Sequence, residues 1–356
     1  MTQTYIIAEA GVNHNGSLET ALQLVDVAVA AGADAVKFQT FKAEKLVTQA
    51  AAKAAYQQQT TGADETQLQM LRKLELKYEF HFQLRDYCRQ RGIAFLSTAF
   101  DFDSLLFLVD EVGIDKLKVP SGEITNGPFL LAHAQTGKEI ILSTGMAALG
   151  EVEAALGVLA FGYLGCEQPS IAGFQKAFSS LEGQSMLKNK VTLLHCTSEY
   201  PTPAHHVNLK AMDTLAQAFG LAVGYSDHTD GLAVPIAAAA RGAVLIEKHF
   251  TLDRSLQGPD HQVSLEPDEL KRLVEAIRVI EKAMGSAVKT PQSVELQTRA
   301  VARKSLVAAS SIVAGSTFSV ENLACKRPGT GISPMEYWRL LGQTSQRAYQ
   351  ADDLIE

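Results

Sequence analysis

Side chains able to do acid/base, anion-binding or metal chemistry recur in this 356-residue sequence at the ends of short apolar runs. In chain order they are Glu9, Lys37 with Gln39, Thr98, Lys118 with Ser121 and Glu123, Ser143 with Thr144, His195 with Thr197, Asp227 with His228, and Glu247 with His249. Polar groups converging on a partly dry site need partners or a ligand, so eight such endings are hard to explain as packing. Two subsets make chemical sense. Lys37, Lys118, Ser121 and Ser143 form a cationic, donor-rich group suited to a phosphate or a phosphorylated carboxylate. His228 and His249 could share one divalent metal through imidazole nitrogens and leave coordination positions for water or substrate. Glu9 and Glu123 are then candidates for acid/base work or for supporting the metal ligands.

The elements that must position these residues follow from hydrophobic periodicity. Strands are expected at 5–8, 35–40, 93–100, 116–123, 139–146, 191–198, 221–228 and 243–250, with helical patterns between them. Ser17 caps the first helix and Gly32 closes it; others are expected at 65–91, 103–112, 151–162, 209–219, 232–240 and 267–284. Eight βα units predict a (β/α)8 TIM barrel, in which the C-terminal strand ends form the active site. A doubly wound sheet is the alternative, but no GxGxxG follows the first strand. In the barrel the strands carrying His228 and His249 are neighbours, which favours a ligand pair over two framework histidines. His14 and His195 are read as framework residues and His205-His206 as loop.

The texture changes after Met284. Residues 1–284 are assigned to the barrel, 285–302 to a linker and 303–356 to a small domain rich in Ser, Thr and β-branched residues with turns at Gly315, Pro328-Gly329 and Gly331. A domain of roughly 55 residues is near the lower limit of independent stability and is expected to rest on the barrel or a partner subunit.

Composition excludes several classes. With 46% hydrophobic and 20% charged residues and a net charge of −7, the chain is balanced like a water-soluble globular protein, without a basic stripe for nucleic acid or an anionic membrane. The charge-free run from Ser305 to Val320 is too polar to span a bilayer. The N-terminus lacks a basic region before Glu9, so a cytoplasmic location is expected. Cys88, Cys166, Cys196 and Cys325 have no CxxC spacing and are read as reduced thiols.

Seven segments together resemble a known family: Ala8-Glu9-Ala10-Gly11-Val12-Asn13-His14-Asn15-Gly16, Val36-Lys37-Phe38-Gln39-Thr40, Pro120-Ser121-Gly122-Glu123, Leu142-Ser143-Thr144-Gly145-Met146, Tyr225-Ser226-Asp227-His228-Thr229, Glu247-Lys248-His249-Phe250-Thr251 and Gly258-Pro259-Asp260. The chain resembles the sialic acid synthase family of bacterial nonulosonate synthases. Lys326-Arg327-Pro328-Gly329-Thr330-Gly331-Ile332-Ser333-Pro334 is similar to that family's C-terminal SAF (antifreeze-like, β-clip) domain. The resemblance implies condensation of phosphoenolpyruvate with an open-chain 2-acetamido aldose, N-acetylmannosamine in the first instance, with release of phosphate. It implies that Lys37, Lys118, Ser121 and Ser143 hold phosphoenolpyruvate and that His228 with His249 binds Mn2+, or Mg2+ or Co2+. By the same resemblance Gln39, Tyr200 and Asp260 contact the amino sugar, with Thr98 and Ser198 beside them, and Arg327 reaches its N-acetyl group from the other subunit of a domain-swapped homodimer.

Family members acting on N-acetylmannosamine often carry Asn two residues before the substrate-contacting Tyr, where this chain has Ser198 before Tyr200. Thr98-Ala99-Phe100 also has Ala where Pro is common. These departures keep open a 2,4-diacetamido-2,4,6-trideoxymannose acceptor, which would make the chain an N,N'-diacetyllegionaminate synthase. Two other classes compete: a metal-free aldolase using Lys37, Lys118 or Lys248 as a Schiff-base nucleophile, and a non-catalytic sugar-binding protein with the C-terminal domain as an interaction module.

Overall fold

Parallel strands covered by helices must be apolar on both faces, and the eight strands of the first unit are buried along most of their length. They are β1 (Tyr5–Gly11), β2 (Ala35–Thr40), β3 (Ala94–Ala99), β4 (Lys116–Val119), β5 (Glu139–Ser143), β6 (Val191–His195), β7 (Ala222–Asp227) and β8 (Leu245–His249). In this computed structural model they pair in sequence order, and β8 returns to β1 to close the barrel. The described residues are 3–54, 57–58, 61–62 and 65–356; Met1 and Thr2, which begin the stretch read for a leader, lie outside them. The chain divides into two units, Met1–Gly285 and Ser286–Glu356.

The (β/α)8 expectation holds, and the local differences have identifiable causes. β4 ends at Val119 because Pro120 follows, and Ser121–Glu123 forms a 3₁₀ turn, so Ser121 and Glu123 sit beyond the strand. β5 stops at Ser143, before Gly145 and Met146, whose φ is 63°. The helix expected over 65–91 is two helices, Gln67–Leu74 and Tyr78–Arg91, because Glu75 turns the chain with ψ 131°. Its carboxylate accepts from the Ala43 amide at 2.6 Å, which fixes the bend. The segment at 103–112 is an α-turn, Phe102–Leu106, continued by a π-helix, Phe107–Val112. Helices Ile171–Ser179 and Leu181–Lys190 are additional elements between β5 and β6.

Within 285–302, read as a linker, Glu295–Ala302 is helical. The second unit pairs β9 (Ser305–Ala308) antiparallel to β10 (Leu323–Lys326) and adds the bridges Ile312↔Tyr349 and Thr317↔Thr344. Its own core contains Leu306, Ile312, Phe318, Leu323, Tyr349 and Ile355. Among the described residues no helix is long and apolar enough to cross a membrane.

A layer of Ile7, Ala35, Leu96, Ile141, Leu194 and Leu245 fills the barrel interior, and Gly224 on β7 makes room for it. A Cβ at Gly224 would lie 2.5 Å from the Leu245 carbonyl oxygen and 2.7 Å from Leu194 Cδ2. The first contact is with backbone and cannot rotate away. Gly224→Ala is therefore expected to destabilise the barrel by about 1–3 kcal/mol, read as a lower midpoint in urea unfolding.

Candidate active site

Successive residues on a strand face opposite sides, and this alternation sorts the polar strand ends. On β8, Glu247 and His249 point into the barrel mouth while Lys248 points behind it. On β7 and its continuation, Ser226 and His228 share the mouth side and Asp227 faces back. The mouth-facing groups border a cavity of about 400 Å³.

At its floor lie four charged side chains, each less than a tenth exposed. Lys37 Nζ is 2.6 Å from Glu9 Oε2 and 3.5 Å from Glu247 Oε2, and it donates to Thr98 Oγ1 at 3.0 Å. Lys118 Nζ is 3.2 Å from Glu247 Oε1, which also accepts from Ser226 Oγ at 2.9 Å. Burial raises the Glu9 carboxyl to about 7, with Lys37 opposing and Glu247 reinforcing the rise. Burial acts on Glu247 in the same direction, but Lys118 and Lys37 outweigh it and hold that carboxylate well below its ordinary range. Burial alone would depress Lys37, yet Glu247 and Glu9 overcome it and its ammonium is favoured above the usual value. The two carboxyls are thus pushed in opposite directions, Glu247 toward the ionised form and Glu9 toward the protonated one.

The hydroxyls read as anion donors border the same cavity. Ser143 Oγ is buried and makes no hydrogen bond among the described residues, as a donor reserved for a ligand would. Ser121 Oγ accepts from the Gly145 amide at 3.0 Å and lies 3.1 Å from Cys196 Sγ. A side chain at Gly145 would obstruct this corner, since its Cβ would come within 2.5 Å of Ser198 Oγ and 2.7 Å of Ser121 Oγ. Glu123 accepts from Asn126 Nδ2 at 2.6 Å, and Asn126 caps the following helix.

The imidazoles of His228 and His249 lie 5.6 Å apart, centroid to centroid. His228 Nδ1 donates to the Thr197 carbonyl at 2.7 Å, so in the neutral ring Nε2 accepts from the Tyr200 hydroxyl at 3.0 Å. Burial lowers His228 to about 4 and His249 well below its ordinary value. Neutral imidazole is the form that binds a metal, and His249 Nδ1 is buried without a partner among the described residues. Among those residues no group of three or more His, Cys, Asp and Glu gathers as a ligand set. Two neutral imidazoles, one with an unpartnered nitrogen, are a donor set that suits a divalent ion.

Behind the mouth, Lys248 Nζ lies 2.7 Å from Asp227 Oδ2 and also donates to the Thr229 carbonyl. Asp227 accepts in addition from the Tyr225 hydroxyl at 2.9 Å and the Thr229 amide at 3.1 Å. This buried pair ties together the two strand ends that carry the imidazoles. It also removes Lys248 from consideration as a Schiff-base nucleophile, and the favoured ammonium of Lys37 argues against that role for Lys37.

Gln39, Ser198, Tyr200 and Asp260 line the cavity with the groups above. Ser198 and Tyr200 lie on the loop after β6, beyond the strand end expected for Ser198. Arg327 belongs to the second unit, where it is exposed and makes no hydrogen bond or ion pair among the described residues. Sequence reasoning placed Glu247 at a strand end without a role. Its position two residues before His249, on the same side of β8, was the available signal that it joins the site.

A closed (β/α)8 barrel with two buried lysines, an unpartnered hydroxyl and two neutral imidazoles around one cavity at its strand ends has the layout of a barrel enzyme. Residues 24–289 match the NeuB family and residues 303–356 the SAF domain; the chain belongs to the NeuB family. It is 49% identical over 355 residues to the N,N'-diacetyllegionaminic acid synthase of Campylobacter jejuni, covering 100% of this chain and 99% of that one. Identity to the protein of the same name from Legionella pneumophila is 47% over 338 residues, 95% of this chain and 89% of that one. The crystal structure of N-acetylneuraminic acid synthetase from Leptospira borgpetersenii superposes with a TM-score of 0.66 at 33% identity, covering 83% of this chain and 90% of that one.

Two stability outcomes follow from the buried charges. Lys248→Met leaves Asp227 buried and uncompensated, a loss of about 3–5 kcal/mol in urea unfolding that Asp227→Leu in the same chain should largely restore. Burial raises the Asp260 carboxyl to about 6, above an unfolded value of about 4. Its ionisation therefore opposes folding, with no effect below about pH 4 and the full effect above about pH 6. Asp260→Asn should leave stability unchanged at pH 4 and raise it at pH 8 by up to about 3 kcal/mol.

Proposed function

We propose that this chain condenses phosphoenolpyruvate with an open-chain acetamido sugar to give a nine-carbon 2-keto acid and phosphate, its acceptor being 2,4-diacetamido-2,4,6-trideoxymannose. The product is then N,N'-diacetyllegionaminate. The observation that carries the reaction is the buried floor of Lys37, Lys118 and the unpartnered Ser143 hydroxyl beside two neutral imidazoles. The acceptor rests on the relatives at 49% and 47% identity, both N,N'-diacetyllegionaminic acid synthases. N-acetylmannosamine is the second reading, supported by the fold shared with the Leptospira synthetase.

In this reading Lys37, Lys118, Ser121 and Ser143 hold the phosphate and carboxylate of phosphoenolpyruvate. Gln39, Tyr200 and Asp260 orient the sugar so that its aldehyde meets the enol carbon, with Thr98 and Ser198 bordering them. His228 and His249 are the residues to hold a divalent ion, Mn2+ with Mg2+ or Co2+ as substitutes. When bound, that ion supplies Lewis-acid polarisation of the aldehyde oxygen. The methylene carbon of phosphoenolpyruvate forms the new C–C bond as the aldehyde C=O π bond breaks, and the aldehyde oxygen takes up a proton to become a hydroxyl; water adds at the resulting cationic C2, and the bond from C2 to the phosphate oxygen breaks to leave the ketone and phosphate. Glu9, on the cavity floor and with a carboxyl that burial raises, is suited to accept the proton released by that water, and Glu123 on the rim of the same cavity is the other candidate. The exposed guanidinium of Arg327 is then available to a partner's pocket in a swapped homodimer, and the supply of phosphoenolpyruvate makes the cytoplasm the compartment.

The test is phosphate release by purified, chelator-treated protein given phosphoenolpyruvate and each sugar, with the keto acid identified by mass. Expected is sugar-dependent phosphate release in equal amount to the nine-carbon product, restored by Mn2+, at least tenfold more efficient with the diacetamido sugar, and abolished by His228→Ala. Full activity after exhaustive chelation, together with borohydride trapping of a lysine adduct, would overturn the metal-dependent reading. A sugar that binds without phosphate release would point to the non-catalytic alternative.

A further inference from the structure

Part of the cavity lining is carbon, supplied by the same excursion of the chain that also contributes Gln57 and Gln67. The segment after β2 packs an apolar cluster of Phe41, Met70 and Leu74 with Val12 from the loop after β1, and Leu46, Leu71 and Phe100 lie against it. Leu46, Val47, Leu71 and Phe100 border the same cavity as Lys37, Lys118 and the imidazoles. All four keep part of their surface accessible, so this wall presents carbon to the cavity rather than spending it all on the core. The reaction accounts for the ionic floor and not for the wall. Neither the phosphate and carboxylate of phosphoenolpyruvate nor the hydroxyls of a fully oxygenated hexosamine gain from aliphatic contact; an acetamido methyl does, but the 2-acetamido group is common to all the acceptors considered and cannot discriminate among them.

We propose that this wall selects the acceptor at C6: the methyl group of a 6-deoxy sugar lies against Val47 and Leu71, and a C6 hydroxyl is disfavoured because those two side chains offer it no hydrogen bond. The inference rests on the proposed function and adds the residues that set its acceptor. An apolar pocket discriminates against an added hydroxyl by only about a hundredfold at most, so the preference belongs in the range of about ten- to a hundredfold.

The experiment compares kcat/KM for N-acetylmannosamine, its 6-deoxy analogue 2-acetamido-2,6-dideoxymannose, and 2,4-diacetamido-2,4,6-trideoxymannose, in the full-length chain with phosphoenolpyruvate and Mn2+. The 6-deoxy analogue separates the C6 methyl from the C4 acetamido group. Expected is an advantage of about tenfold or more for the 6-deoxy analogue over N-acetylmannosamine in the unmodified protein. Val47→Thr, close in shape but bearing a hydroxyl, and Leu71→Asn should each reduce that advantage at least threefold, while the KM for phosphoenolpyruvate stays within twofold and reports an intact floor. Equal efficiency for the two mono-acetamido sugars overturns the inference, as does an advantage that both variants leave unchanged. Turnover of the diacetamido sugar alongside either result leaves the proposed function standing. Turnover of none of the three sugars removes the proposed function and this inference together.

Discussion

Four ionisable side chains in the barrel mouth, Glu9, Lys37, Lys118 and Glu247, are held where water scarcely reaches, and each is tolerable only because the others are in place. A single buried charge costs several kcal/mol after relaxation, and a partner at hydrogen-bond distance is what offsets it. The four come from β1, β2, β4 and β8, so compensation requires strands far apart in sequence to meet in one register. The pairings Glu9↔Lys37 and Glu9↔His249 supply that register where β1 meets its two neighbours. An open sheet would part β1 from β8 and leave Glu247 away from Lys37. Closure of the barrel and assembly of the charged floor are the same structural event.

The alternation of side chains along β7 and β8 then divides two tasks between the faces. Toward the mouth, Ser226 bonds to Glu247 across the strands, and His228 and His249 stand beside each other. Toward the helices, the pair Asp227–Lys248 joins the same two strand ends. The imidazoles are thus fixed by groups that never meet a ligand, while Tyr200 and the Thr197 carbonyl set the tautomer of His228. Both rings are thereby held neutral and at a set separation at two neighbouring strand ends.

Much of this was legible in the sequence because it depends on short-range pattern plus one topological rule. Apolar runs alternating with helical periodicity define the strands, and neighbouring seventh and eighth strands bring His228 beside His249. Strand ends were read too long where turn chemistry intervenes, at Pro120 and before Met146, because hydrophobic pattern carries no information on φ and ψ. The break at Glu75 escaped notice for a similar reason. Glu75 is a good helix former, and what ends the helix is a bond to the Ala43 amide, a contact that the sequence pattern does not display. The apolar wall was illegible on other grounds: Met70, Leu71 and Leu74 look like the buried stripe of any amphipathic helix, and only the fold shows that part of that stripe borders the cavity.

The distribution of these parts over the fold separates chemistry from selection. The charged floor and the imidazoles sit on or directly against barrel strands, where a change of register would disturb several pairs at once. Leu46, Val47 and Leu71 sit on the excursion between β2 and the helix Tyr78–Arg91, and Ser198 lies on the loop after β6. Substitutions there alter the lining of the cavity at positions off the strands that carry Lys37, Lys118 and His249. Conversely, any change to the floor disturbs the coupled charges that raise the Glu9 carboxyl and lower that of Glu247. A barrel organised in this way can exchange one acceptor for another by changing loops while the condensation chemistry stays tied to the strands, as expected where binding groups are carried on loops above a rigid scaffold.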